Sequence, residues 1–293
     1  CGWPDPNTAD LTDAANADAI KSSLLYSVTT MHTLFNITNT MILIWFIPQI
    51  EKIVSWIIPQ KAEKEVFRLK YIQGGPLSTA ELSLDEAEQE IVHFSEICYN
   101  GFGYMRQAIN EKDPVKFGEL REKLIKYEAI TDRIEYEIAD YLNEVSKGEI
   151  SSSSAVRING MYKIIGELES IGDSGDAIGR ILARRNEHGL SFDEQQLKRL
   201  GRMCDLLDDA FKAMTNNLKV PYTSLKDITN AQDAEYNINE CRNTLREEHI
   251  INIEENSSYN YQVGVFYMDI VAELEKMGDF MINVSEAKIA ENG

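Results

Sequence analysis

The sequence predicts an all-α protein, with one transmembrane helix and a short interfacial segment ahead of two similar three-helix units. Three observations carry this expectation. An uncharged run extends from Ser22 to Ile47, and long amphipathic segments follow a breaker at Gly74, Gly75 and Pro76. A short block also recurs, Glu167 to Asp173 matching Glu273 to Asp279. No strand-like alternation of useful length interrupts the helical pattern.

Residues 1–21 are expected to form a loop, being polar and acidic at Asp5, Asp10, Asp13 and Asp18, with prolines at positions 4 and 6. The start at Cys1 suggests a piece of a longer protein rather than a lipid-anchored product, since no signal peptide supports an anchor. The run from Ser22 to Ile47 exceeds the roughly 20 mostly apolar residues that a spanning helix needs. Within it His32, Asn36 and Asn39 fall on one helical face. Polar residues inside a membrane normally face protein or water, so a helix within a bundle is expected. Ile50 to Ile58, set between Pro48 and Pro59 and carrying Trp56, is too short to span and reads as interfacial or re-entrant. Residues 22–60 are therefore assigned to the membrane. Lys61, Lys64, Arg68 and Lys70 follow, against Lys21 and mainly aspartate before the run, which places residues after about 61 in the cytoplasm. A buried helix of a soluble protein is the competing reading. The length of the uncharged run and its asymmetric flanks weigh against it.

A linker over 61–83 leads to the first unit, 84–190. Ser83 followed by Glu86 resembles a capping box for a helix to about Asn110. Asp113 and Pro114 open the next, whose seam is Leu120, Leu124, Tyr127, Thr131, Ile134, Ile138, Tyr141 and Val145. Lys147 and Gly148 end it. After the serines at 151–154, a third helix carries Ile164, Leu168, Ile171, Gly175, Ile178 and Leu182, and closes at His188 and Gly189. In the second unit, 191–293, helices are expected over about 191–218, 225–251 and 257–290.

The formal net charge of -19 and pI of about 4.7 argue against nucleic-acid binding and are compatible with cations. Cys1, Cys98, Cys204 and Cys241 form no C-x-x-C pair, so no zinc ribbon or redox pair is indicated. The last three fall among apolar residues and read as buried thiols.

The recurring block marks an internal duplication. Both copies keep a mid-helix glycine, which costs on the order of 1 kcal/mol against alanine and implies close helix approach or a ligand. Beside it, Glu169 and Asp173 share a face with Asp176 on the next turn, and Glu275 and Asp279 are their counterparts. Glu128, Asp132 and Glu135 form a stripe on the preceding helix. Facing stripes would gather like charges, which a cation can neutralise. Oxygen donors suit magnesium, calcium or manganese and can hold iron. A solvated acidic face is the alternative, and the duplication brings the two readings level.

The pattern Leu-Glu-x-x-Gly-Asp resembles the third-helix motif of PhoU domains, whose paired three-helix bundles carry E/D-x-x-x-D metal-binding motifs. The resemblance covers about 84–290. It implies metal ligands at Glu128, Asp132, Glu169 and Asp173 in the first bundle. To these the acidic stripes add Glu135 and Asp176, the latter only adjacent to Ala177, which stands at the motif's asparagine position. In the second bundle the resemblance implies Asp233, Glu275, Asp279 and Asn283, with Asn237 in place of an acid, and Glu240 is counted with them as a candidate ligand.

A second resemblance lies upstream. The stretch from Asp18 to Ser23, followed by Met31-His32-Thr33-Leu34-Phe35-Asn36, is similar to the end of the membrane domain of bacterial sodium–phosphate cotransporters. Many of these end in a cytoplasmic PhoU-like domain. The two resemblances together imply the C-terminal part of a sodium:inorganic phosphate symporter in the bacterial plasma membrane, multi-pass at full length. Its PhoU-like domain would regulate or sense phosphate uptake. The glutamine- and serine-rich transport repeats of that family are absent, so the transported sodium and phosphate would be handled upstream. Expected partners are phosphate, sodium, membrane lipid and a second copy of the chain, with no nucleic acid. The alternative is a membrane-tethered PhoU-like regulator without transport.

No enzyme is expected. A ferritin-type site needs two Glu-x-x-His motifs, and only Glu90 to His93 fits. P-loop, nucleophile-elbow and zinc-protease motifs are absent.

Overall fold

The computed structural model describes residues 14–57, 69–77, 79–222, 224–255 and 259–290, in two units that divide between Val66 and Phe67. All regular structure among the described residues is helical.

The first unit contains α1, Ala14–Ile57. It begins inside the stretch expected to be a loop, where Ala14, Ala15, Ala17 and Ala19 supply strong helix formers. It also runs through Pro48 without interruption, so the expected separate segment over 50–58 is instead the last part of one helix, as far as Ile57. Proline removes one backbone hydrogen bond but does not forbid a helix whose other residues favour it. No described helix is long and apolar enough to cross a membrane. The expected spanning helix is corrected on this point: α1 has the length, but its threonines, His32, Asn36 and Asn39 dilute its hydropathy. Thr29 and Thr33 donate their hydroxyls to the carbonyls of Leu25 and Thr29 at 2.7 and 2.9 Å, satisfying polar groups within the helix. His32, Asn36 and Asn39 are exposed, as are Leu25, Met31 and Met41. Lys61, Lys64 and Arg68, like the acidic residues of positions 1–13, lie outside the described residues.

In the second unit, α2 (Ala80–Asn110), α3 (Pro114–Ser146) and α4 (Ser152–Glu187) form the first bundle. The second comprises α5 (Glu194–Lys219), α6 (Thr229–Glu255) and α7 (Tyr261–Ala290). α4 packs along α7, and α2 against α5. One core runs through both bundles, with Phe94, Ile134, Leu168, Phe211 and Leu274 buried in it. Cys98, Cys204 and Cys241 are buried free thiols, as expected.

The helix starts follow side-chain chemistry. Asp113 accepts from the amides of Val115 and Lys116, Ser151 caps α4, and Asp193 with Gln196 forms a reciprocal capping box on α5. α2 is capped by Thr79 rather than by Ser83. Ser83 is instead fully buried within the helix, where its Oγ donates to the Thr79 carbonyl and accepts the amide of Leu77. Glu90 holds the same segment, its Oε2 accepting the amides of Tyr71 at 2.6 Å and Ile72 at 3.3 Å. The described part of the expected linker is thus fastened onto α2.

Candidate functional site

The site depends on how closely α3 and α4 approach. Gly172 sits opposite the buried Thr131, and a Cβ at this glycine would lie 2.3 Å from Thr131 Oγ1. Only a residue without a side chain permits that spacing. One result is that carboxylate oxygens of Glu128, Asp132 and Asp173 lie within 4.8 Å of one another.

Electrostatics mark the cluster as under-neutralised. Burial, then the charges of Asp173, Asp132 and Glu135, push Glu169 up to about 7, against a hydrogen bond from Ser170. Partial burial and the neighbouring carboxylates also raise Glu128 and Asp173, with Arg180 opposing in both cases. Asp176 differs. It is buried and ion-paired to both Arg121 and Arg180, so its charge is already matched within the protein. In the first bundle, then, Glu128, Asp132 and Asp173 come together, Glu169 stands beside them and feels the charges of Asp173, Asp132 and Glu135, and Asp176 belongs to an arginine pair.

The second bundle repeats the geometry with different chemistry. Gly278 faces Ile238 as Gly172 faces Thr131, a Cβ there meeting Ile238 Cδ1 at 2.9 Å. That equivalence shifts the sequence register. Glu235, Asn239 and Arg242, rather than Asp233, Asn237 and Glu240, occupy the places of Glu128, Asp132 and Glu135. Asp233 and Glu240 are exposed. Asn239 donates to Glu235 at 2.6 Å, and Arg242 Nη1 pairs with Glu275 at 3.1 Å. Burial, Glu275 and Glu235 raise Asp279, while Arg242 pulls it down. Asn283 donates to Glu167 of α4 at 3.1 Å and so bridges the bundles. A guanidinium thus stands inside the second site where the first has a carboxylate.

Sequence reasoning missed Glu235, Asn239 and Arg242. The signal was the apolar seam: Leu124, Thr131, Ile134 and Ile138 are buried at the spacing of Ala231, Ile238, Cys241 and Leu245. Aligning on that seam, rather than on the nearest acid, gives the observed register.

The Arg242 assignment has a measurable consequence. Arg242→Met should leave Glu275, Asp279 and Glu235 without their cation and lower stability at neutral pH by about 1–2 kcal/mol. The loss should shrink in acid, as Asp279, raised above its ordinary range by burial and its acidic neighbours, protonates. Urea unfolding at pH 7 and pH 5 measures both values.

Comparison with protein families places one bundle. Residues 91–182 match the PhoU domain. That segment spans most of α2 through α4 and contains the whole acidic cluster. The fold is also similar to solved structures. One is the phosphate transport system regulatory protein PhoU from Streptococcus pneumoniae, 17% identical, covering 73% of this chain and 96% of that one with a TM-score of 0.57. Another is PhoU from Pseudomonas aeruginosa, 16% identical, covering 72% and 97% with a TM-score of 0.56. At such identities the likeness is one of fold. A comparison with curated proteins finds no match.

Proposed function

We propose that this chain is the C-terminal part of a sodium:inorganic phosphate symporter, whose PhoU-like region adjusts phosphate uptake from the cytoplasmic side of the membrane. The observation that carries the reading is a PhoU-like double bundle following a long helix that exposes Leu25, Met31, Phe35 and Met41. α1 is too polar to cross a bilayer alone, which suits a helix covered by other membrane helices, with His32, Asn36 and Asn39 turned toward them. A membrane-tethered regulator without transport is the second reading, favoured by the same fold.

The acidic cluster of α3 and α4 fits a hard cation. Its donors are all carboxylate oxygens, they converge from two helices, and burial and their mutual repulsion raise Glu128 and Asp173. Glu128, Asp132 and Asp173 would hold magnesium, calcium, manganese or iron, with Glu169 adjacent. The ion would supply charge neutralisation and tie α3 to α4. The second bundle already has Arg242 for that purpose.

Uptake of labelled phosphate by cells expressing the full reading frame tests the proposal. Sodium-dependent uptake that changes when residues 69–293 are deleted is expected. Uptake indifferent to sodium would leave only the regulator reading. Sodium-dependent uptake unaffected by the deletion would remove the regulatory role.

A further inference from the structure

Roughly three helical turns beyond Asp173, α4 ends at a feature that the acidic cluster does not explain. Arg185 is 5% exposed, yet no described carboxylate pairs with it. Its Nε and Nη2 both donate to Asn186 Oδ1, at 3.1 and 2.7 Å, and its guanidinium lies 4.4 Å from the centre of the Phe192 ring. Burying a cation without an opposing charge is costly, and proteins usually pair such groups. Neither an amide oxygen nor a ring face neutralises it.

Arg185 is also fixed in place. Gly189 takes a left-handed φ of +66°, and the amide of Leu190 returns to the Arg185 carbonyl at 3.1 Å, tying off the helix end. The side chain lines a pocket of about 450 Å³ between the end of α4, the α2–α3 turn and the start of α5. That volume lies in the range of about 300–1,000 Å³ usual for small-molecule sites, and far exceeds a bare phosphate or carboxylate. Much of the remaining wall is apolar, including Ile109, Phe117, Phe192 and Leu197. Lys112 adds a second cation at the wall. Glu111 is the acid present, and its Oε1 is held by the amides of Lys112 and Asp113 at 2.9 and 2.8 Å.

We propose that this pocket binds a small organic anion, its phosphate or carboxylate group seated on Arg185 and its apolar body against Phe117 and Leu197. Guanidinium donors match both oxyanions in a planar fork, and the ligand would provide the charge that Arg185 lacks. The site depends on neither the metal reading nor the transport reading.

Calorimetric titration of the full chain in EDTA tests it, because no metal then occupies the acidic cluster to capture phosphate. The probes are phenyl phosphate, benzoate and inorganic phosphate. Binding of phenyl phosphate or benzoate is expected, and which of the two binds more tightly identifies the preferred head group. Arg185→Met should weaken binding about tenfold or more, the scale of a lost charged hydrogen bond. Ser191→Trp, at an exposed position on the pocket wall, keeps Arg185 and should block binding by filling the space. It therefore gives a decision even if Arg185→Met fails to fold. No binding of either aromatic probe up to about 10 mM overturns the proposal. So does equal binding of inorganic phosphate, or binding that survives Ser191→Trp.

Discussion

Gly172→Ala should destabilise the chain by about 2–3 kcal/mol, although alanine is the better helix former by on the order of 1 kcal/mol. The added Cβ would meet Thr131 Oγ1 at 2.3 Å and its Cβ and Cγ2 at 2.9 Å each. Thr131 cannot easily retreat, because it is 1% exposed and its hydroxyl donates to the Glu128 carbonyl at 2.8 Å. Relief must come from moving α3 away from α4. Thr131→Ala in the same chain should restore part of the loss, giving a coupling of about 0.5–3 kcal/mol in a double-mutant cycle. Gly278→Ala should cost less, since its nearest obstacle is Cδ1, the far end of the Ile238 side chain. Urea unfolding of the four variants measures the ranking. A Gly172→Ala chain as stable as the unsubstituted one would mean that the helix approach is not sterically fixed. The same variant tests the site, because spreading α3 from α4 separates Asp132 from Asp173.

The sequence disclosed elements through local chemistry and missed what depends on packing. Asp113 with Pro114, and His188 with Gly189, marked helix ends because caps need particular side chains and a left-handed residue. Ser83 looked equally suited to capping. It is buried under the 69–77 segment, and nothing local distinguishes it from Thr79, one turn earlier. Pro48 looked like a break because its missing hydrogen bond is a local fact, whereas helix continuity also depends on the residues to either side. The stripes on α3 and α4 were legible because they flank a seam. Whether an acid is free was not, since Arg121 and Arg180 reach Asp176 from another helix and from the following turn. The second site was misplaced by two residues for a related reason. Acidic residues are plentiful along α6, and the buried seam of Ala231, Ile238, Cys241 and Leu245, with Ile238 set against Gly278, fixes which of them face α7.

A cation at the first acidic site should reverse the pH dependence that the site gives the metal-free protein. With Glu169 raised to about 7 from an ordinary value near 4.5, the folded chain keeps this proton where the unfolded chain has lost it. Stability therefore falls as pH rises through that window, and Glu128 and Asp173, also raised, add in the same direction. A bound cation requires ionised carboxylates, so stability in saturating metal should instead rise with pH. The two curves diverge toward neutrality. At a hundredfold excess over the dissociation constant, the gain is about 2.7 kcal/mol. Glu169→Gln with Asp173→Asn should flatten both curves, leaving the metal-free protein at pH 7 more stable than the unsubstituted chain and unresponsive to metal. Glu275→Gln with Asp279→Asn should leave the metal response largely intact, because Arg242 already compensates that site. Thermal melts of the full chain between pH 5 and pH 8, in EDTA and with magnesium, calcium, manganese or ferric ion in turn, measure all of these. If no metal shifts the melt at any pH, the carboxylates of α3 and α4 are a solvated face and hold no metal. The fall in metal-free stability with pH rests on carboxylate repulsion and burial, and should be observed in either case.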